Sequence, residues 1–154
     1  DIQFVWAGNF AFKGISEGRK EIMEHMDDLP DNVHFLGLVE RDRMNEFFNM
    51  GDVMLQLSFE ELFPMTILES MNANIPLLLR DLPEYKPILF DYYLKANSQQ
   101  TFKDELTKLK EDADYYTKAC EGSKRGEQFY SKESILEQWQ QFYDKVATER
   151  NLLS

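Results

Sequence analysis

Short apolar runs alternate with segments of helical spacing along the first half of the chain. In the segments between the runs, apolar residues such as Ile22, Met26 and Leu29 recur every three or four positions, which is typical of amphipathic helices. Several of the runs are apolar on both faces of a strand, so the pattern predicts an α/β fold with a Rossmann-like parallel sheet covered by helices on both faces. The predicted strands and helices are, in chain order, Ile2–Ala7, Glu17–Leu29 (helix), Val33–Val39, Arg41–Met50 (helix), Val53–Leu57, Pro64–Asn74 (helix) and Ile75–Leu79.

The pattern changes after Pro87, beyond which the chain has no proline. A short apolar segment at Tyr92–Leu94 predicts a last strand, and two long helices then form a helical C-terminal tail. The second helix is expected to begin near Ser131, which is a favourable N-cap residue. The residues that mark the apolar stripes of the two helices are Phe102, Leu106, Leu109, Ala113 and Tyr116 for the first, and Ile135, Trp139, Phe142 and Val146 for the second.

Composition and charge narrow the classes of function. The 154 residues suit a single domain, and 28 acidic against 17 basic residues give a net charge of −11. Such an acidic domain is a poor match for nucleic acid or for an anionic membrane surface. One cysteine, Cys120, excludes a disulfide framework and a cysteine-based metal site, and two histidines far apart in the sequence do not suggest a metal cluster. No leader is visible at Asp1 and no apolar run spans a bilayer, which predicts a cytoplasmic location.

The densest candidate chemistry lies between Ser58 and Glu69. Ligands of parallel α/β sheets bind beyond the carboxyl ends of the strands, and a predicted helix begins there at Pro64. Its free N–H groups and its dipole favour an anion, while Glu61 and Glu69 could accept hydrogen bonds from sugar hydroxyls on either side of a diphosphate. On spacing alone, solvated surface carboxylates remain the alternative interpretation.

Several motifs together resemble the retaining GT-B glycosyltransferases of the Glu-x7-Glu type. Their order and spacing hold over Ile2–Glu84, which corresponds to the C-terminal, donor-binding domain of that family. The motifs are Glu61 and Glu69 with seven residues between them, Asn32–Gly37, Gly51–Ser58 and Leu68–Pro76. Three further stretches resemble the bacterial enzymes that glycosylate diacylglycerol or glucosyldiacylglycerol, namely Leu62–Thr66, Leu79–Pro83 and Tyr92–Lys95.

The resemblance implies a role for each matching position. Glu61 would be the catalytic-site residue that bonds the hydroxyls of the transferred sugar, and Glu69 would hold the ribose hydroxyls of the donor. The other donor-binding positions that it implies are Phe63, Pro64, Met65, Thr66, Gly8, Asn9 and Val39. The resemblance implies no bound metal and no cofactor, since helix dipoles and cationic side chains stabilise the leaving diphosphate in this family.

The sequence departs from the family pattern around the predicted third helix. Leu62 and Pro64 replace glycines, and Pro64 in the first helical turn has no N–H to offer a phosphate. Asn74 replaces a glycine beyond the same helix and is expected to adopt the left-handed backbone conformation. Gly51, at the end of the preceding helix, is expected to do the same.

The resemblance further implies that residues 1–154 are the donor domain without its first strand–helix unit and without the N-terminal acceptor domain. The full enzyme would transfer a hexose, with retention, from a nucleotide diphosphate sugar such as UDP-glucose or UDP-galactose to diacylglycerol or glycosyldiacylglycerol. It would lie at the inner face of the membrane, which it would contact only through the absent half. The chain alone is expected to be inactive, and exposed apolar surface on the Trp139 helix would favour self-association.

Two other functions share parts of this pattern. A non-enzymatic α/β ligand-binding or signalling module of the receiver type would place an acidic pair after the first strand, and the loop at Gly8 has none. A nucleotide-sugar epimerase of the GT-B fold would share both the fold and the donor site. The Pro64–Glu69 segment is compatible with the epimerase, so that alternative stays open.

Overall fold

The computed structural model describes residues 1–8, 24–26 and 28–149. These residues belong to two compact units, one within Asp1–Phe47 and the other within Phe48–Ser154. Each unit contains its own parallel sheet.

The first unit contains two parallel strands, β1 (Phe4–Ala7) and β2 (Val33–Gly37). Trp6 pairs with Phe35 across them, and their rings meet edge to face with centroids 4.8 Å apart. The first strand was expected to be buried, yet Val5 and Trp6 are 38% and 42% exposed. That expectation is wrong, because burial of a strand on both faces needs a covering layer on each side of the sheet. Most of the predicted helix Glu17–Leu29 lies outside the described residues.

The predicted helix Arg41–Met50 is confirmed, with a tighter first turn. Arg41–Arg43 form a 3-10 turn and continue directly into helix α1 (Met44–Met50). Gly51 follows, and its N–H donates to the carbonyl of Phe48 at 3.2 Å. The positive φ expected of Gly51 is not observed. The hydrogen bond from Gly51 to Phe48 spans only three residues, so the helix ends with a tightened turn instead.

The second unit is built on a three-stranded parallel sheet in the order β3 (Met54–Gln56), β4 (Leu77–Arg80) and β5 (Leu94–Ala96). All three strands were predicted. The last strand was predicted at Tyr92–Leu94 but begins only at Leu94. The N–H of Tyr92 donates to the carbonyl of Leu89, so Tyr92 belongs to the preceding turn. A parallel sheet brings the carboxyl ends of its strands to one edge, and this edge carries the candidate site.

Alternate residues of β4 face two different cores. Leu77 and Leu79 pack with Ile67 and Tyr85 on one face, whereas Leu78 packs with Phe102 on the other. The first face is covered by α2 (Met65–Asn72), the second by α4 (Gln99–Glu111). The predicted arrangement of a parallel sheet between helical layers is therefore confirmed in this unit.

The remaining elements are a 3-10 turn (Pro83–Tyr85), α3 (Lys86–Leu89), α5 (Ala113–Phe129) and α6 (Lys132–Glu149). The first helix of the predicted tail is in fact two helices, α4 and α5. Asp112 separates them with extended backbone at φ −118°, and its carboxylate caps α5 by accepting from the N–H of Tyr115 at 2.9 Å. The side chain of Ser131 accepts from the N–H of Ser134, as expected of an N-cap residue.

Helix α5 lies close to α2 because its facing residues are small. Gly126 is buried against α2, and a Cβ on it would come within 2.6 Å of the Met71 side chain. Gly122 is buried against the backbone of Tyr92 instead, where a Cβ would lie 3.1 Å from the Tyr92 carbonyl oxygen. The hydroxyl of Ser123 donates to the carbonyl of Ile75 at 2.7 Å, just beyond α2. These contacts fix α2, and with it the candidate site, on the sheet.

Candidate functional site

The loop between β3 and α2 is held in place by the last residue of β3. The side-chain nitrogen of Gln56 lies 2.8 Å from Oγ of Ser58 and 2.7 Å from Oε1 of Glu61. Both acceptors belong to the loop, so a single amide fixes its beginning and its middle. Sequence reasoning missed Gln56; the available signal was a polar residue ending an otherwise apolar strand, five positions before Glu61.

Arg80, at the carboxyl end of β4, binds the same loop from the neighbouring strand. Its Nε donates to the carbonyl of Leu57 at 3.0 Å, and Nη1 donates to the carbonyl of Asn97 at 3.2 Å. The guanidinium carbon lies 3.9 Å from the centroid of the Phe59 ring, which is 78% exposed. Arg80 thus joins the ends of β3 and β5 and supports Phe59 on its guanidinium plane.

The amino terminus of α2 has no side-chain cap. Pro64 is the N-cap residue, with extended backbone at ψ 124°, and not part of the first turn as predicted. Its carbonyl accepts from the N–H of Ile67 at 3.0 Å. Within the described residues, the N–H groups of Met65 and Thr66 have no acceptor. Two free donors at the positive end of a helix form a favourable position for an anion.

Glu61 and Glu69 stand on either side of this helix start along the chain. In α2, Ile67, Ser70 and Met71 are buried, whereas Met65 and Glu69 are exposed on the opposite stripe. The Glu69 carboxylate has no hydrogen-bond or ion-pair partner among the described residues. It is therefore available to a ligand that contacts the helix start, as the sequence predicted from the spacing of Met65 and Glu69.

Apolar side chains surround the same loop. Phe63 packs into the core against Tyr130, with ring centroids 5.7 Å apart, and so anchors the end of the loop. Leu62 and Met65 point outwards and are 91% and 63% exposed. The half-buried Phe63 therefore lies between two exposed apolar residues, Leu62 and Met65.

The core of the second unit contains a fully buried phenol. Tyr85 has no exposed surface, and its hydroxyl has no hydrogen-bond partner. Burial raises the pKa of Tyr85 to about 12, and the negative charges of Glu61 and Glu84 add to the effect. The phenol consequently stays protonated at neutral pH and is a potential hydrogen-bond donor.

The remaining predicted positions belong to the first unit. The N–H of Gly8 donates to the carbonyl of Gly37 at 2.8 Å, and Gly8 has a φ of +149°, which few residues other than glycine adopt. Val39 follows β2 and is half-buried. Asn9 lies outside the described residues. Donor contacts at these three positions stay predictions.

The sequence of the chain matches a known protein family. Residues 1–126 match the model of a family described as glycosyl transferases group 1. The chain belongs to this family. The predicted GT-B glycosyltransferase relationship is thereby confirmed, and the roles of the site residues stay predictions.

Two relatives have names that describe glycolipid synthesis. The chain is 36% identical over 146 residues to the alpha-galactosylglucosyldiacylglycerol synthase of Streptococcus pneumoniae (strain ATCC BAA-255 / R6). The aligned region covers 95% of this chain and 39% of the relative. The chain is 28% identical over 149 residues to the processive diacylglycerol alpha-glucosyltransferase of Acholeplasma laidlawii, covering 95% and 43% of the two chains. This family member thus spans about two fifths of the length of the two relatives.

Solved structures share the fold. The crystal structure of Anabaena Alr3699/HepE in complex with UDP-glucose superimposes with a TM-score of 0.73 at 16% identity, over 95% of this chain and 41% of the other. The GtfA/B complex superimposes with a TM-score of 0.70 at 14% identity, over 94% and 36% of the two chains. At these identities the likeness establishes the fold alone.

Two searches of the described residues bear on the setting of the site. None of the helices in that part of the chain has the length and apolar character needed to cross a membrane. Residues 1–8, 24–26 and 28–149 also contain no group of three or more His, Cys, Asp or Glu side chains arranged to hold a metal ion.

Proposed function

We propose that this chain is the donor-binding part of an enzyme that transfers a hexose, with retention, from a nucleotide diphosphate sugar to diacylglycerol or glycosyldiacylglycerol. UDP-glucose or UDP-galactose is the proposed donor. The observation that carries the proposal is the uncapped start of α2 between Glu61 and Glu69 in a member of this family. The names of the two relatives support the lipid acceptor, and the UDP-glucose bound by Anabaena Alr3699/HepE supports the donor class.

The diphosphate would lie at the start of α2. A helix amino terminus carries about half a unit of positive charge, and the N–H groups of Met65 and Thr66 are free to donate. Pro64 has no N–H and Phe63 is anchored in the core, so these two residues shape the approach and the next two amides bind. Such fixed donors stabilise the charge that develops on the leaving diphosphate.

The two glutamates would hold the two sugars of the donor. Glu69 is exposed one turn beyond Met65 and has no described partner, so it can accept hydrogen bonds from the ribose hydroxyls. Glu61 precedes the helix and would accept from hydroxyls of the transferred hexose. It acts by orienting the sugar rather than as a nucleophile. The family resemblance also implies donor contacts at Gly8, Asn9 and Val39, which are proposed here on that ground alone.

Acceptor binding and membrane contact are proposed for parts of the protein outside this chain. The chain carries a net charge of −11, which disfavours contact with an anionic bilayer. It spans about two fifths of the length of its relatives, whose remaining residues have no counterpart here. We therefore expect donor binding, and no transfer, from these residues alone.

The proposal is tested by NMR titration of the chain with UDP, UDP-glucose and UDP-galactose. We expect shifts at residues 61–69 and a Glu69→Ala variant that binds UDP about tenfold more weakly, which is about 1.4 kcal/mol. The matched control is Glu121→Ala, which removes an exposed helical glutamate from α5. Absence of UDP-dependent shifts at residues 61–69, or equal weakening by the two variants, would overturn the donor-site proposal.

A further inference from the structure

Gln56 uses both of its side-chain N–H bonds on the candidate site. An amide nitrogen has two donors, and its two partners here are Oγ of Ser58 at 2.8 Å and Oε1 of Glu61 at 2.7 Å. The second bond joins an amide to a carboxylate that lies five positions later in the sequence. Hydrogen bonds to charged acceptors are stronger and more directional than neutral ones.

The position of Gln56 at the end of β3 places this amide at the candidate site. Side chains alternate along a strand, so Gln56 shares a face with Met54, which packs against the core formed with Ile67 and Tyr85. Gln56 is half-buried at the carboxyl end of this face. A polar group at such a position is costly unless its hydrogen bonds are satisfied, and the loop satisfies both donors.

We propose that Gln56 is a positioning residue that fixes the Glu61 carboxylate for the transferred sugar. With Oε1 held by Gln56, the carboxylate loses rotational freedom, and its second oxygen, Oε2, has no partner among the described residues. Oε2 is thereby presented to a hydroxyl of the hexose without a further cost of ordering on binding. This inference rests on the proposed role of Glu61 in donor binding.

A purely structural role for Gln56 makes a different prediction. If its only task were to close the loop, its loss would weaken binding of UDP and of the UDP-hexose equally, through a displaced α2. If it positions Glu61, its loss weakens only the contribution of the hexose. The ratio of the dissociation constants for UDP and UDP-glucose separates the two roles.

The experiment compares four forms of the chain by titration with UDP and with UDP-glucose: the unchanged sequence, Gln56→Leu, Ser58→Ala and Glu61→Ala. We expect UDP-glucose to bind more tightly than UDP to the unchanged chain. In Gln56→Leu this preference should fall at least threefold while the dissociation constant for UDP changes less than twofold. Ser58→Ala removes only the other acceptor and should retain the preference.

A double variant adds the decisive control. Because Gln56 acts through Glu61, combining Gln56→Leu with Glu61→Ala should lose no more preference than Glu61→Ala alone. An additive loss would overturn the inference, as would an unchanged preference in Gln56→Leu. Failure of the unchanged chain to bind UDP would overturn the proposed function and this inference together. If Glu69→Ala weakens UDP binding but Gln56→Leu keeps the full preference for UDP-glucose over UDP, only the inference is overturned.

Two further measurements, one of them without donor, cover the case in which Gln56→Leu does not fold. In the chain labelled with nitrogen-15, the side-chain NH2 resonances of Gln56 should shift when Glu61→Ala removes their acceptor. Gln56→Asn supplies a shorter amide that cannot reach both Ser58 and Glu61, and it should lose the hexose preference as Gln56→Leu does. Unmoved resonances in Glu61→Ala would show that the hydrogen bond is absent in solution and would overturn the inference.

Discussion

The rings of Tyr85 and Tyr93 meet edge to face, with centroids 5.9 Å apart, yet only one of the two buried hydroxyls has a partner. Tyr93 donates to Oδ1 of Asp81 at 3.2 Å, whereas the Tyr85 hydroxyl is unpaired in the described structure. Two tyrosines of one core thus differ in whether the hydroxyl has a hydrogen-bond partner. That difference gives matched substitutions opposite expected effects on stability.

Tyr85→Phe should stabilise the chain, and Tyr93→Phe should destabilise it. Removing an unsatisfied buried hydroxyl relieves a desolvation cost of about 1 kcal/mol. Removing the Tyr93 hydroxyl loses a hydrogen bond to a charged carboxylate, which is worth about 1.5–3 kcal/mol. Urea unfolding followed by circular dichroism measures both changes. A loss of stability in Tyr85→Phe would show that the hydroxyl has a hydrogen-bond partner in solution.

Stability should decrease as the pH rises above 10. Burial raises the pKa values of Tyr85, Tyr115 and Tyr116 to about 12, from an ordinary value of 10.0. Between pH 10 and 12 the unfolded chain therefore binds fewer protons than the folded chain. The free energy of unfolding falls by at most about 1.4 kcal/mol per pH unit for the fully buried Tyr85, and by less for the partly exposed Tyr115 and Tyr116. Below pH 10 both states hold these protons, so the contribution is complete there.

Urea unfolding at several pH values between 8 and 12 checks this dependence. In Tyr85→Phe the decline above pH 10 should be less steep, because one of the titrating groups is gone. Tyr143→Phe is the control, since Tyr143 is 61% exposed and lies on α6. An equally steep decline in the unchanged chain and in Tyr85→Phe would contradict the assignment.

Local signals in the sequence predicted most elements but not their ends. The alternation of strands and helices was predictable because strands such as Leu77–Arg80 are apolar on both faces. The apolar spacing from Phe102 to Tyr116 continued without interruption, and so it concealed the break at Asp112, where a side-chain cap starts a new helix. An apolar pattern reports which face is buried; it does not report which backbone hydrogen bond a polar side chain replaces.

The candidate site was predictable only in part for a similar reason. The exposed stripe of Met65 and Glu69 follows from helical periodicity alone. The contacts of Gln56 with Glu61 and of Arg80 with Leu57 depend on how a loop of irregular backbone turns between two elements. No hydrophobic periodicity in the sequence predicts the path of that loop, so these contacts could be identified only from the structure.

Asn74 offers a direct test of the left-handed residue after α2, which the sequence predicted and the structure confirms at φ 56°. Asn74→Gly should be close to neutral, because glycine adopts this conformation freely. Asn74→Ala should lower the free energy of unfolding by about 1 kcal/mol, because a Cβ without a compensating polar group is strained there. Thermal unfolding of the two variants provides the comparison, and equal melting temperatures would contradict the expected strain.

Arg80→Lys should loosen the loop that carries the candidate site. A lysine retains the charge but cannot donate to the carbonyls of Leu57 and Asn97 with the two nitrogens of one planar group. We expect a loss of about 1–2 kcal/mol in stability and faster amide hydrogen exchange at residues 59–61. Arg41→Lys, at an exposed arginine of the first unit, is the matched control. Unchanged exchange at residues 59–61 would show that Arg80 does not order the loop.

Three exposed aromatic residues on α6 should allow the isolated chain to associate with itself. Trp139, Phe142 and Tyr143 are 52%, 53% and 61% exposed, and the rings of Trp139 and Tyr143 stack with centroids 5.7 Å apart. Clustered aromatic surface of this kind gains free energy when it is removed from water. Sedimentation velocity at increasing protein concentration should show a dimer that the double substitution Trp139→Gln and Phe142→Gln abolishes. The control is the double substitution Gln140→Ala and Gln141→Ala on the same helix, which should leave the dimer intact. A dimer that persists without Trp139 and Phe142 would show that the contact lies elsewhere.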